Sequence, residues 1–259
     1  MIINNISEVK IYTVCLYREK FFEKVPIGSG ILICIESTYY LISAYHVFDM
    51  EEEQEIIDND PNEEGIEHDD MENIFVKCGE KYFCVNEKGE ALVGTVKYDR
   101  ETKQDIFTDD TEWCVCELSE DLSRELIEKG KLFYNIDAIK PLKLLADSEI
   151  IISGYPGYAS KREKEEHRSF KGILVENYQN NDEKLFRVRL DRKKAYCFEH
   201  QKEVEIPKVK GIGGMSGGGL WYKNNDHCVL IGIILKQDSE NNFVEGYNIT
   251  KILKSYIQK

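Results

Sequence analysis

Short apolar runs of roughly 5–8 residues recur from one end of the chain to the other, and they constrain the fold more than any other feature. IYTVCLY, SGILICIE, YYLISAY, IFVKC, YFCVN, ALVGTVKY, WCVCEL, EIIISGY, LFRVRL and VLIGIIL are rich in Val, Ile, Tyr and Phe, with polar or glycine-containing turns between them. Such runs are too short for independent helices and read as strands, so the chain is expected to be mostly β. Gly28, Gly30, Gly79, Gly89 and Gly94 read as turns or bulges in that series.

Three segments depart from the rhythm. Residues 51–72 are heavily acidic with little apolar content and read as a solvated insertion. Residues 119–130 place Leu122, Leu126 and Ile127 at helical spacing between a cap-like Ser119 and a terminal Gly130, which predicts a connecting helix. From Ile249 to Ile257, the spacing of Ile249, Ile252, Leu253 and Tyr256 predicts a closing helix. The expected organisation is a β unit over 1–120 carrying the acidic insertion, a connector over 121–147, and a second β unit plus terminal helix over 148–259. Periodicity by itself does not separate paired barrels from one large sandwich.

Composition narrows the partners. Asp and Glu total 48 against 34 Lys and Arg, a net charge of −14, so phosphate backbones and anionic lipid are repelled on average, and neither nucleic acid nor a membrane is an expected partner. The first residues lack the basic start and the apolar stretch of about 7–15 residues of a signal peptide, and no run approaches the roughly 18 apolar residues of a spanning helix. A cytoplasmic protein with reduced cysteines is the expectation. Cys197 and His200 have a C-x2-H spacing, with His227 and Cys228 downstream, and are candidate zinc ligands. Adjacent residues on a strand face opposite ways and no second properly spaced pair exists, so no metal and no cofactor are expected.

The most informative stretch is Gly211-Ile212-Gly213-Gly214-Met215-Ser216-Gly217-Gly218-Gly219-Leu220-Trp221. One serine lies among glycines, which accept positive φ and let backbone N–H groups approach a ligand, as an oxyanion hole beside a nucleophile requires. A plain flexible loop is the alternative. Gly214-Met215-Ser216-Gly217-Gly218 also satisfies the G-x-S-x-G elbow of α/β-hydrolases, but in that fold acid and base follow the serine, and only 43 residues remain here. A base encoded before the nucleophile is the chymotrypsin order instead. His46, in YLISAYHVF, is the candidate, with a hydrogen-bonded core histidine as the alternative reading.

GSGILI followed by YLISAYHVF resembles the GTGFLI…YLVTAAHV pattern of trypsin-like serine peptidases, and GGMSGGGLW resembles their GxSGGP segment. ISGYPG at 152–157 is similar to a second-barrel strand of bacterial members. The resemblance implies an all-β, chymotrypsin-like double β-barrel with a helical connector and a C-terminal helix. It also implies serine endopeptidase activity through an acyl-enzyme, with Ser216 as nucleophile, His46 as general base and the N–H groups of Gly214 and Ser216 as oxyanion donors. Its D-x-A-x-x-x-L strand falls on Glu112-Trp113-Cys114-Val115-Cys116-Glu117-Leu118, making Glu112 the orienting acid, with Asp110 and then Asp109 as alternatives.

Two departures matter. Gly219 stands where the family has proline and is expected to loosen the entry to the next strand. Met215 stands where secreted members have the aspartate that pairs with a freed N-terminus, so the oxyanion loop must be ordered by its own packing or by a partner. Lys210, six residues before Ser216, falls at the base of the family's specificity pocket, with Leu235, Lys236 and Gln237 along one wall. The expected partner is a protein or peptide substrate, with a regulatory protein as a further candidate. A catalytically silent pseudoprotease that binds peptides is the alternative function, and an esterase the third.

Overall fold

A computed structural model of the protein describes residues 2–20, 22–48, 73–85, 91–93, 98–99, 104–105, 113–136, 149–156, 171–175, 178–180, 185–190, 195–197, 202–204, 212–224, 227–238 and 243–257. The acidic segment 51–72 lies outside them, as do Asp109, Asp110, Glu112, His200, Lys210, Gly89 and Gly94.

Two antiparallel sheets hold nearly all of the described strands. The first contains β1 (Thr13–Lys20), β2 (Glu23–Ile35), β3 (Thr38–Ala44), β4 (Ile74–Cys78), β5 (Lys81–Cys84) and β6 (Ala91–Val93). β7 (Tyr98–Asp99) and β8 (Gln104–Asp105) form a separate pair, and the first sheet is completed by β9 (Trp113–Glu117) in the order β5-β4-β1-β2-β3-β9-β6, with β10 (Tyr134–Asn135) added parallel to β2. The second contains β11 (Ile150–Gly154), β12 (Lys171–Val175), β13 (Tyr178–Asn180), β14 (Leu185–Arg189), β15 (Ala195–Cys197), β16 (Lys202–Val204), β17 (Gly219–Asn224), β18 (His227–Asp238) and β19 (Phe243–Asn248). Its order is β13-β14-β19-β18-β17-β11-β12-β15-β16. Among the described residues the outer strands of each sheet do not pair with one another, so each sheet is open rather than a closed barrel.

The strands follow from their patterns. β4 buries Ile74, Val76 and Cys78 in strict alternation, the mark of a sheet with one solvated face. β3 buries Tyr40 through Ala44 without alternation because it runs between β2 and β9 and is covered on both faces. Gly28 and Gly30, expected at turns or bulges, lie inside β2, Gly28 at the bulge opposite Leu16 and Tyr17, where the side chains of Val47 and Leu41 press against them. Gly79 does turn the chain, at φ +63°.

Helix α2 (Glu120–Glu128) forms where the spacing places it. The Ser119 hydroxyl accepts the Leu122 N–H at 3.2 Å, Glu120 and Asp121 favour the positive end of the helix dipole, and Gly130 ends the segment at φ +79°. Leu122 and Leu126 are buried, but Ile127 is 43% exposed. Helix α3 (Ile249–Ile257) buries Ile249, Ile252 and Leu253. No described helix is long and apolar enough to cross a membrane.

The N-terminal segment corrects the sequence reading. Residues 2–12 form helix α1 (Ile2–Tyr12), and the first strand begins only at Thr13, not at the start of IYTVCLY. The isoleucines and asparagines of α1 have modest helix propensity, so the helix depends on tertiary contacts. Val9 is fully buried, and α1 packs on β11, β17 and β18 of the second sheet as well as on β1 and β2. The Tyr12 ring stacks on Trp221 at 5.7 Å, and Tyr134 meets both rings edge-on at 5.4 Å. The Lys131 ammonium donates to the carbonyls of Lys10 and Thr13 at 3.0 and 2.5 Å, closing the C-terminal end of the helix where a cation is favoured.

One core runs from the first sheet through α2 to Trp221, Leu230, Ile233 and α3, so the sheets share apolar packing. A second core lies within the second sheet and includes Ile150, Ile152, Phe186, Ile212, Met215 and Leu220. Among the described residues, none of the seven cysteines whose side chains are described forms a disulfide, and the sulfurs of Cys114 and Cys116 lie 3.8 Å apart.

Candidate active site

Ser216 lies in the loop that leads from Ile212 into β17. The loop is anchored from below: Ile212 is 3% exposed and Met215 is fully buried in the core of the second sheet. Met215 N–H donates to Ile212 O at 2.9 Å, and Gly214 has φ +89°, which together define a type II turn over residues 212–215 with glycine at the position that requires positive φ. Ile212 N–H donates to Gln237 Oε1 at 2.7 Å, tying the start of the loop to β18. Gly217 N–H donates to Ile234 O at 2.7 Å, Gly218 N–H to Met215 O at 2.8 Å, and Ile234 N–H to Gly218 O at 2.8 Å. Among the described residues, the N–H groups of Gly214 and Ser216 have no protein acceptor. The loop therefore holds its shape through backbone hydrogen bonds around a buried methionine.

Ser29 of β2 connects this loop to the first sheet. Its N–H donates to Ser216 O at 2.9 Å, and its hydroxyl donates to Gly214 O at 2.9 Å while accepting the Tyr155 N–H at 2.9 Å. The Ser29 carbonyl accepts the Ser43 hydroxyl at 2.7 Å. Ser29 and Ser43 are fully buried, and each of these polar atoms is satisfied.

The segment bearing His46 arrives from the other side. β3 ends at Ala44, and a single 3-10 turn, Tyr45–Val47, carries an exposed His46 between the buried Ala44 and Val47. Ala44 pairs with Trp113, the first residue of β9. Gly217, next to Ser216, is pressed against this segment: a Cβ there would stand 2.0 Å from Ser43 Oγ, 2.2 Å from Ser29 O and 2.9 Å from Ala44 N. Glycine at 217 is thus what lets the chain after Ser216 lie directly against the strand leading to His46. Ser216 itself is half-buried.

A second polar chain crosses between the sheets behind the loop. Trp221 Nε1–H donates to Ser153 Oγ at 2.9 Å, Ser153 Oγ lies 3.1 Å from Thr13 Oγ1, and Thr13 Oγ1–H donates to Val9 O at 2.8 Å. Because the Thr13 proton is committed to Val9 O, Ser153 is the donor to Thr13, and all four groups are satisfied in one direction. Gly219 belongs to this packing. A Cβ there would stand 2.2 Å from Trp221 Nε1, so glycine closes the strand entry tightly under the indole rather than loosening it.

The remaining sequence candidates have these positions. Leu235 is buried at the bulge of β18 between Ile234 and Lys236. Lys236 is exposed and ion-paired with Glu245 at 3.4 Å, and Arg187 binds the same carboxylate. Gln237 places its Oε1 on Ile212 N–H, while its buried Nε2 has no hydrogen-bond partner among the described residues. The sequence reading missed Ser29, Ser43, Thr13, Ser153 and Tyr155. Small hydroxyl residues beside glycine or inside apolar runs, as in GSG, LISA and IISG, were the available signal.

No protein-family model matches the chain, and no curated protein matches it. Solved structures do. The chain superposes on a thermostable serine protease from an extremophilic microorganism with a TM-score of 0.56 at 10% identity, covering 97% of this chain and 96% of that one. It superposes on a Glu endopeptidase with a TM-score of 0.55 at 13% identity, covering 97% and 92%. The chain has the trypsin/chymotrypsin fold.

Proposed function

We propose that the protein is a serine endopeptidase in which Ser216 is the nucleophile and His46 its general base, with the two halves, residues 1–120 and 148–259, each supplying one of them across the connector 121–147. The observation that carries this reading is the contact of Gly217 with Ser43 and Ala44, which brings the loop of Ser216 against the strand leading to His46.

In this mechanism His46 accepts the Ser216 hydroxyl proton as Oγ bonds to the substrate carbonyl carbon. The developing oxyanion is held by the N–H groups of Gly214 and Ser216, each contributing about 3–4 kcal/mol in comparable sites. His46 then gives the proton to the leaving amine as the C–N bond breaks. Water attacks the acyl-enzyme, losing its proton to His46, which returns it to Ser216 Oγ. Glu112, or Asp110 or Asp109, would orient the imidazole and stabilise its cation. Lys210, Leu235, Lys236 and Gln237 are the proposed specificity residues, and the substrate is a protein or peptide.

Burial of Met215 supports an active loop that needs no ion pair with a cleaved N-terminus, because apolar packing and the type II turn hold Gly214 in place. The test is turnover of a quenched fluorescent peptide library by the full chain. Cleavage is expected in the wild type and a loss of about 10³-fold or more in Ser216→Ala and in His46→Ala. Equal cleavage by all three proteins contradicts the assignment.

A further inference from the structure

Away from Ser216, a cavity of about 260 Å³ opens between β1, the β4–β5 turn and the end of β11, lined by Val14, Cys15, Tyr17, Lys77, Lys131 and Tyr155. Its charge is opposite to that of the chain as a whole, whose net charge is −14. Lys77 and Lys131 line it, and the Nζ of Lys129 lies 3.7 Å from where a Cβ on Gly79, at the cavity edge, would stand. Lys10 is close enough to Lys131 to disfavour its charge, and burial together with Lys10 lowers Lys131 to about 8. Two lysines thus line the concavity, with Lys129 at its edge. Glu125 acts on Cys78, whose thiol burial raises to about 11. Cations crowded and partly desolvated in this way gain from a bound anion, which relieves their repulsion and accepts their hydrogen bonds.

We propose that this cavity is a binding site for a compact polyanion, of the phosphate or small polycarboxylate class. The volume is just below the usual range for small-molecule pockets, which suits a ligand of this size. Tyr155 and Tyr17 complete the cavity wall beside the two lysines.

The site also reaches the catalytic loop. Tyr155 lines the cavity, its N–H donates to Ser29 Oγ, and Ser29 Oγ donates to Gly214 O, each at 2.9 Å. An anion that shifts Tyr155 therefore acts on the turn that carries the proposed oxyanion donors. This coupling rests on the serine-peptidase reading, whereas the binding does not.

The experiment is isothermal titration of the full chain with inorganic phosphate and, separately, citrate, at pH 7 and constant ionic strength. Saturable binding of either one to the wild type is expected, weakened about tenfold in Lys77→Gln, which removes one charge-assisted contact at the cavity wall. Lys129→Gln serves as a second variant in case Lys77→Gln folds poorly. Absence of saturable binding of both probes, or binding unchanged in both variants, overturns the site. The coupling is read as the rate at which a fluorophosphonate labels Ser216 with and without the bound probe. A changed rate in the wild type that is restored in Lys77→Gln supports the coupling, and an unchanged rate with binding intact overturns it. Because calorimetry needs no reactive serine, failure of the anion site and failure of the peptidase reading are separate results.

Discussion

His46 sits on one exposed turn at the end of β3, whereas Ser216 sits in a loop whose backbone is bonded at Ile212, Met215, Gly217 and Gly218 and whose Gly217 leaves no room for a methyl group. The first half of the site is placed by a strand end and its flanking buried residues, Ala44 and Val47. The second is placed by close backbone approach, which only glycine permits. A site of this kind tolerates change unevenly: side chains around His46 can be trimmed with local effects, while atoms added in the serine loop must displace the other sheet.

The largest expected effect follows from that contrast. Gly217→Ala combines positive φ, +78°, with a Cβ only 2.0 Å from Ser43 Oγ. It should cost about 3 kcal/mol or more in stability and remove activity. Chemical denaturation together with peptide turnover measures both. A near-wild-type unfolding midpoint would show that the two sheets do not meet as described.

The contrast also explains what could be read from sequence. The β rhythm, α2 with its Ser119 cap and α3 were legible because each depends on local patterns. Helix α1 was not, since its residues favour it weakly and Val9, Tyr12 and the Lys131 ammonium hold it through contacts distant in sequence. The glycine loop was visible as a motif, but the reasons for its glycines were not. Gly217 answers to Ser43 and Ser29, and Gly219 to the indole of Trp221. Buried hydroxyls such as Ser29 carry no periodic signal, because their value lies in joining two sheets.

A smaller effect tests the polar chain behind the loop. Trp221→Phe keeps most of the buried ring but removes the N–H that Ser153 accepts. A loss of about 1–2 kcal/mol is expected, with turnover per folded molecule little changed. Thermal unfolding and single-turnover rates check the two parts, and a large fall in rate at normal stability would move Trp221 into the catalytic machinery.

A further effect, of similar size, concerns α1. Burial, then Lys10, lowers Lys131 to about 8 from the usual 10.5. Between those values the unfolded chain holds a proton that the folded chain has released, so this group makes stability rise with pH across that window. Buried Cys78, Cys114 and Tyr17, whose pKa values are raised, pull stability the other way. Comparing denaturation midpoints of the wild type and Lys131→Met at pH 7.5 and pH 10 isolates the lysine. The wild type should gain relative to the variant at the higher pH, and a constant difference would mean that Lys131 titrates normally.

The most direct measurement is the intact mass of the folded chain after exposure to a fluorophosphonate, with Ser216→Ala and His46→Ala as controls. A single adduct that maps to Ser216 and is lost in both variants is the expected result. No adduct on the folded wild type, or one that persists in Ser216→Ala, would contradict an activated serine and leave the fold as a peptide-binding scaffold.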